Sequence, residues 1–398
     1  MRYTAAIIGT GADPDETNRT GYAMAYRHAP GYKRHDDVEL VACADLVREN
    51  AVAFADHFGI DRANVYEDYE LLLEEVDVDV VSVCTPPATH TDIVVGAAAS
   101  GAPAAIHCEK PMATTPGDCR EMVSVCEREG VQLTIDHQRR FSEPFRRAKD
   151  IFEEGTIGDL KRVECGEVNF FDAGVHQFDL CGYYTDDAAP KWVLANVDYC
   201  RENRWFGTRN ETHGVAHWQY DSGVDGVAFT GEDDGFGIDV VGCYLRLLGT
   251  DGVIELGVED GPSLRYRVDG ADWQSVDTGD SIHAPSPSIA RAGAKKLLQH
   301  APVVDESALS RPTFYERAIA EAIDALAEDR RPEICGTRSL RATELAFGVW
   351  ESARRRGRVT FPLEIDDNPL DAMVETGVFE GGPDGNTGRR QPSPDSDT

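Results

Sequence analysis

The chain has 398 residues, room for two or three domains with buried cores, which excludes a peptide or a lone recognition module. Its 71 acidic residues outweigh 39 basic ones, giving a formal net charge of −32, which excludes the basic footprint of a nucleic-acid binder. The carboxylates are spread along the chain, and 41% of residues are apolar, so disorder is excluded as well.

In chain order, short β-branched apolar runs at 4–8, 38–44, 79–84, 104–108 and 131–136 read as strands. They are separated by segments of helical spacing at 46–58, 89–100 and 115–129. Strands alternating with helices predict an α/β fold, a doubly wound parallel sheet. After residue 140 the pattern changes to one helix near 143–154 and strands at 160–170, 191–200, 213–220, 224–230, 240–249 and 252–257. That order predicts an α+β domain on a large, mostly antiparallel sheet. Helical spacing returns at 313–328 and 338–356, and both helices are expected to close this second domain. From Gly381 onward the chain is rich in Gly, Pro, Ser and Asp and reads as a disordered tail. The expected domains are 1–138, 139–375 and a tail at 376–398.

Gly9, Thr10 and Gly11 follow the first strand at once, and the second strand ends in Asp45. Glycines there permit a tight turn against a pyrophosphate, and an acid after the second strand can bond a ribose diol. Asp45 would repel a 2′-phosphate, so the reading favours NAD over NADP; an alternative role for Asp45 is starting the next helix. Pro14 stands where a third glycine is expected, and Gly21 is the nearest candidate, beyond an insertion carrying Asp13, Asp15 and Glu16.

Two further runs end parallel strands on the side where open α/β sheets bind ligands. They are Cys84-Thr85-Pro86-Pro87-Ala88-Thr89-His90 and Glu109-Lys110-Pro111. With the later run Asp172-Ala173-Gly174-Val175-His176-Gln177-Phe178-Asp179, the chain resembles the Gfo/Idh/MocA family of oxidoreductases over residues 1 to 360. Arg139-Arg140-Phe141 and Glu154-Gly155-Thr156-Ile157-Gly158 add to the resemblance. It implies a Rossmann domain that binds NAD through Gly9, Thr10, Gly11, Gly21, Asp45, Thr85, Pro86, His90, Glu109 and Lys110. It also implies oxidation of a secondary hydroxyl of a sugar, polyol or inositol. Lys110 would donate to the substrate oxygen. His176, with an ordinary pKa of about 6.5, would move its proton. Asp172 would orient the substrate or tune His176, and spacing on a helix would put Asp172, His176 and Asp179 on one face. Arg140 either approaches substrate or pairs with carboxylates.

Asn169, Phe171, Arg204, Trp205, His213, His217 and Trp218 are candidates for substrate selection, although aromatic residues at such places are often core. An NAD-assisted glycosidase and a non-catalytic sugar- or dinucleotide-binding regulator are the alternatives. His213 and His217 lack the glutamate of a zinc protease, and no metal site is read from the spacing. Ten cysteines without a C-x-x-C pair suggest reduced thiols. With no signal peptide or membrane span evident, a cytoplasmic protein is expected. Seven lysines against 32 arginines and the acid excess suggest a salt-rich cytoplasm. By analogy with the family, a homodimer or homotetramer is expected.

Overall fold

The computed structural model describes residues 2–14, 23–282 and 311–379. Six strands form a parallel sheet: β1 (Tyr3–Ile8), β2 (Val38–Ala44), β3 (Val65–Tyr66), β4 (Val80–Val83), β5 (Ala105–Cys108) and β6 (Gln132–Ile135). Their order is β3-β2-β1-β4-β5-β6. The order reverses between β1 and β4, which opens a crevice at the carboxyl ends of the strands. Every residue of β4 and β5 is buried, because helices cover both faces of the sheet. These helices are α1 (Ala25–Arg34), α2 (Arg48–Phe58), α3 (Tyr69–Glu75), α4 (His90–Ser100) and α5 (Pro116–Glu129). Local sequence sets their ends. Thr115 accepts the Asp118 N–H ahead of Pro116, and left-handed Gly130 stops α5. β3 and α3, two and seven residues long, are too short to show periodicity and were not anticipated.

Helix α6 (Glu143–Glu153) leads into a nine-stranded sheet. Its members are β7 (Leu160–Glu167), β8 (Pro190–Asp198), β11 (His213–Tyr220), β12 (Asp225–Gly231), β13 (Cys243–Gly249), β14 (Gly252–Val258), β15 (Leu264–Val268), β16 (Gln274–Ser275) and β17 (Val359–Thr360). Between β8 and β11, the strands β9 (Arg204–Trp205) and β10 (Thr208–Arg209) make a separate hairpin. The large sheet runs β16-β15-β14-β13-β7-β12-β11-β8-β17 and is antiparallel except where β12 meets β7. Helix α7 (Gly174–Tyr184) packs on its inner face, where Phe178 meets Trp218 edge-on at 5.3 Å. Gln177 donates to the Gly166 and Tyr244 carbonyls (2.7 and 2.9 Å), which fixes α7 over β7 and β13.

Three expectations change. The strand expected at 240–249 starts at Cys243, because Ile238–Val241 form a short helix ended by left-handed Gly242. The helix Phe314–Ala327 does not close the second domain. Its Ile319 and Ile323 join the core cluster of Ala5 and Ile7, and Gly31 of α1 leaves room for Ile319, which a Cβ would meet at 2.7 Å. The helix Gly336–Arg355 does pack on α7 and β8. Phe379 packs on Tyr199 at 5.9 Å, so residues 376–379 belong to the packed structure; the tail expected from Gly381 onward lies outside the described residues.

Candidate active site

The glycine turn lies flush against the loop after β4. Gly9 and Gly11 have φ of +86° and +65°, and a Cβ on Gly9 would sit 2.5 Å from Thr85 Cγ2, so glycine is required there. Buried Thr10 donates through Oγ1 to Asp45 Oδ2 at 3.1 Å. The same oxygen accepts the Gly11 N–H at 2.8 Å, and Oδ1 accepts the Val47 N–H at 2.9 Å. Asp45 therefore braces the glycine turn and the entry to α2, and a carboxylate keeps spare lone pairs for another donor. Gly21, Asp15 and Glu16 lie outside the described residues.

In the loop after β4, Thr85 is half-buried and Pro86 exposed. His90 is not on the cleft wall. It is fully buried, with Nε2 against the Thr85 carbonyl at 2.7 Å and Nδ1 against the Pro111 carbonyl at 3.0 Å. As the first residue of α4, its ring turns inward and ties the loops after β4 and β5 together. Burial lowers its pKa. Glu109, expected at the cofactor, also points into the interior, with Oε1 2.8 Å from His28 Nε2. Burial, with Asp136 nearby, raises its pKa.

Lys110 turns the other way. Its Nζ donates to the Asp172 carbonyl at 3.0 Å and lies 3.7 Å from Asp172 Oδ2. The end of β5 is thereby joined to the run that starts α7. Asp172 precedes that helix and so does not share a helical face with His176 and Asp179, contrary to the spacing expectation. The helix starts at Gly174, where a Cβ would lie 2.5 Å from the Asn169 carbonyl oxygen. Asn169 Oδ1 accepts the Ala173 N–H, and Asn210 Oδ1 accepts that of Asp172. His176 lies in the first turn, buried, its ring edge-on to His137 at 5.7 Å.

Arg140 pairs with carboxylates. It is buried, with Nε 2.7 Å from Asp179 Oδ2 and Nη2 2.8 Å from both Asp179 Oδ1 and Asp187 Oδ1. Two carboxylates in a dry interior hold the guanidinium and raise its pKa, against the opposing effect of burial. The pair anchors α7, and with it His176, to the segment after β6.

Residues 20–137 match the family model described as "Oxidoreductase family, NAD-binding Rossmann fold", GFO_IDH_MocA. Over this stretch the chain is similar to the Gfo/Idh/MocA oxidoreductases. It is 32% identical over 209 residues to the rhizopine catabolism protein MocA of Rhizobium meliloti, covering 49% of this chain and 61% of that one. It is 30% identical over 173 residues to the myo-inositol 2-dehydrogenase of Thermotoga maritima, covering 39% of this chain and 50% of that one. The matches thus span roughly half to three-fifths of these relatives' length. In fold it resembles the WlbA dehydrogenase of Bordetella pertussis, solved with NADH and UDP-GlcNAcA. There the TM-score is 0.66 at 20% identity, with 92% of this chain and 100% of that one covered.

The cleft contains residues that sequence reasoning missed. His137, just after β6, is buried, and neither ring nitrogen meets a hydrogen-bond partner among the described residues. Burial lowers its pKa, with Asp179 opposing and the Arg140 guanidinium adding to the effect. Glu167, at the end of β7, is pushed up in pKa by burial, with the Arg139 guanidinium opposing. Arg139 bonds the Tyr244 hydroxyl and lies over its ring at 4.9 Å. Position at a strand's carboxyl end was the signal that would have singled out His137.

Other sequence candidates belong elsewhere. Phe171 packs on Phe347 and Trp350, and Trp218 is core. Arg204 bonds Glu202 and Trp205 bonds Asn203 within one hairpin region. His213 pairs with Asp233 at 2.8 Å, and His217 lies 3.4 Å from Asp225. Four residues apart on one strand, at about 3.3 Å each, the two histidines do not share a ligand. Among the described residues, two groups have ligand atoms close enough for a metal: buried His28, His107 and Asp136, and the more exposed Asp198, Cys200 and His213.

Proposed function

We propose that this chain is an NAD-dependent dehydrogenase that oxidises a secondary hydroxyl of a sugar, polyol or inositol. The observation that carries the reading is the contact of Lys110, just after β5, with Asp172, four residues ahead of His176 in the chain. The turn fits a dinucleotide, because left-handed Gly9 and Gly11 follow β1 and Asp45 braces them with lone pairs to spare. Gly9, Thr10, Gly11, Asp45, Thr85 and Pro86 would hold the cofactor, and bound nicotinamide would supply the hydride acceptor. The name of the myo-inositol 2-dehydrogenase relative supports a cyclitol substrate.

This chain's own residues handle the proton. Lys110 Nζ donates to the substrate hydroxyl oxygen and steadies the negative charge that grows on it as the proton leaves. His176 takes that proton on a ring nitrogen, as a general base. Asp172 positions Lys110 and accepts from a neighbouring substrate hydroxyl. Arg140 and Asp179 act through α7 by keeping His176 in place. His137, edge-on to His176, keeps that ring from turning.

Leu194 and Val215, 50% and 43% exposed on the outer face of the large sheet, suit association of copies into a homodimer or homotetramer. Ten free cysteines suit a reducing cytoplasm. The acidic surface suits concentrated salt. The test is formation of reduced nicotinamide by purified protein in molar KCl, with NAD or NADP against inositols, aldoses and sugar acids. Turnover of one such substrate with NAD supports the reading. Silence across the panel, in folded protein shown to bind NAD, overturns it.

A further inference from the structure

We propose that His28, His107 and Asp136, with Glu109 completing the shell, hold a zinc-class divalent cation beneath the cleft. This site is independent of the dehydrogenase reading. Thr134 Oγ1 lies 2.8 Å from His107 Nδ1 and 3.3 Å from the Ile106 carbonyl. In the tautomer in which this hydroxyl donates to that carbonyl, His107 carries its proton on Nδ1 and its Nε2 presents a bare lone pair. That lone pair faces Asp136 Oδ1 at 3.5 Å. Two acceptors set face to face in a dry interior repel each other unless a cation lies between them.

The rest of the cluster points to the same place. His28 Nδ1 is 2.9 Å from Ser82 Oγ, which leaves Nε2 toward Asp136 Oδ2 at 3.3 Å and Glu109 Oε1 at 2.8 Å. All four side chains are at most 6% exposed. His107 Nε2 and both Asp136 carboxylate oxygens lack a hydrogen-bond partner among the described residues. The 3.3 and 3.5 Å separations are long for N–H···O bonds. They match the edge of a tetrahedron of ligands about 2.0–2.1 Å from a zinc ion, roughly 3.3 Å. A hydroxyl on each Nδ1 is the outer shell that aims a ligating imidazole. Two carboxylates balance a divalent charge, and two imidazoles favour zinc over magnesium or calcium. The ligands come from α1, the end of β5 and the residue after β6, so no sequence spacing announces them.

The competing occupant is a proton on His28 shared with Glu109. Protein stripped with a chelator is dialysed against ZnCl2 or CoCl2, passed through a metal-free column, and its bound metal counted by mass spectrometry. The expected result is one equivalent retained, a tetrahedral visible spectrum with Co2+ that lacks a thiolate charge-transfer band, and a higher melting temperature than the stripped protein. His107→Asn and Asp136→Asn should each abolish retention, whereas Cys200→Ser, in the exposed trio, should not. Folded wild type that retains no metal overturns the proposal in favour of the proton. Metal retained by both cluster variants, or lost with Cys200→Ser, overturns it in favour of the surface trio. If the cluster variants do not fold, the wild-type metal count and cobalt spectrum decide alone.

Discussion

Asp179→Ala tests whether Arg140 is an anchor for α7 or a ligand for substrate. Asp179 accepts three of the bonds at this pair: Arg140 Nε and Nη2 reach its carboxylate at 2.7 and 2.8 Å, and Nη2 reaches its carbonyl at 3.1 Å. Truncation removes the two side-chain bonds and leaves a guanidinium 1% exposed. Breaking a buried pair in this way costs about 3–5 kcal/mol. Asp187, 2.8 Å from Nη2 and 17% exposed, remains as a partner, which favours the lower end, about 3 kcal/mol. Arg140→Ala strands the Asp179 carboxylate and should cost a similar amount. The double variant should cost about as much as either single one, because both remove the same interaction. The assay is the denaturant midpoint of the four proteins, converted with a common slope, with KM measured beside it. A loss under about 1 kcal/mol for Asp179→Ala, or additive single effects, would refute the anchoring role. So would a large KM increase for Arg140→Ala without loss of stability.

Four further outcomes are expected from the same geometry. Lys110→Met should lower kcat on a confirmed substrate about 10²–10⁴-fold with the fold intact by circular dichroism; near-normal turnover would remove Lys110 from the chemistry. Asp45→Ser should shift the NAD to NADP preference in kcat/KM toward NADP by about tenfold, and an unchanged ratio would separate Asp45 from the ribose. His90 has a folded pKa below its unfolded value, chiefly through burial, so the folded chain binds fewer protons. Its stability contribution is whole above about pH 6.5 and falls as the pH drops below that, by up to about 1.4 kcal/mol per unit. His90→Gln should flatten the fall in denaturant midpoint between about pH 7 and 5, and parallel curves would contradict this. Glu211, buried, accepts the Phe170 N–H, the Thr230 hydroxyl and the Trp350 indole N–H, so Glu211→Ala should cost roughly 3 kcal/mol in chemical denaturation, and a loss under about 1 kcal/mol would show that the orphaned donors find other partners.

Much of this protein was legible from local chemistry. Glycines after the first strand, an acid after the second, and Lys110 and His176 at chain positions that resemble one family are short-range features. Each constrains a turn, a strand end or a helix start through its own backbone. Fold class is readable from periodicity for the same reason, since alternation and helical spacing are written residue by residue. Where elements are two to seven residues long, as in β3 and α3, too few positions repeat for any pattern to show.

What the sequence could not decide is which way a side chain turns once elements pack. Arg140 and Glu109 carry charges that suit ligands equally well, yet both point inward, because Asp179, Asp187 and His28 reach them there. His90 stands beside the cleft in sequence and is buried beneath it in space. His137 faces His176, and His28 faces Asp136, across chain separations that no spacing rule connects. The sequence by itself determined the order of elements and the turn chemistry, because those depend on neighbours along the chain. The tertiary structure decided which charges meet, because burial lets a polar group keep only the partners that packing brings within hydrogen-bond reach.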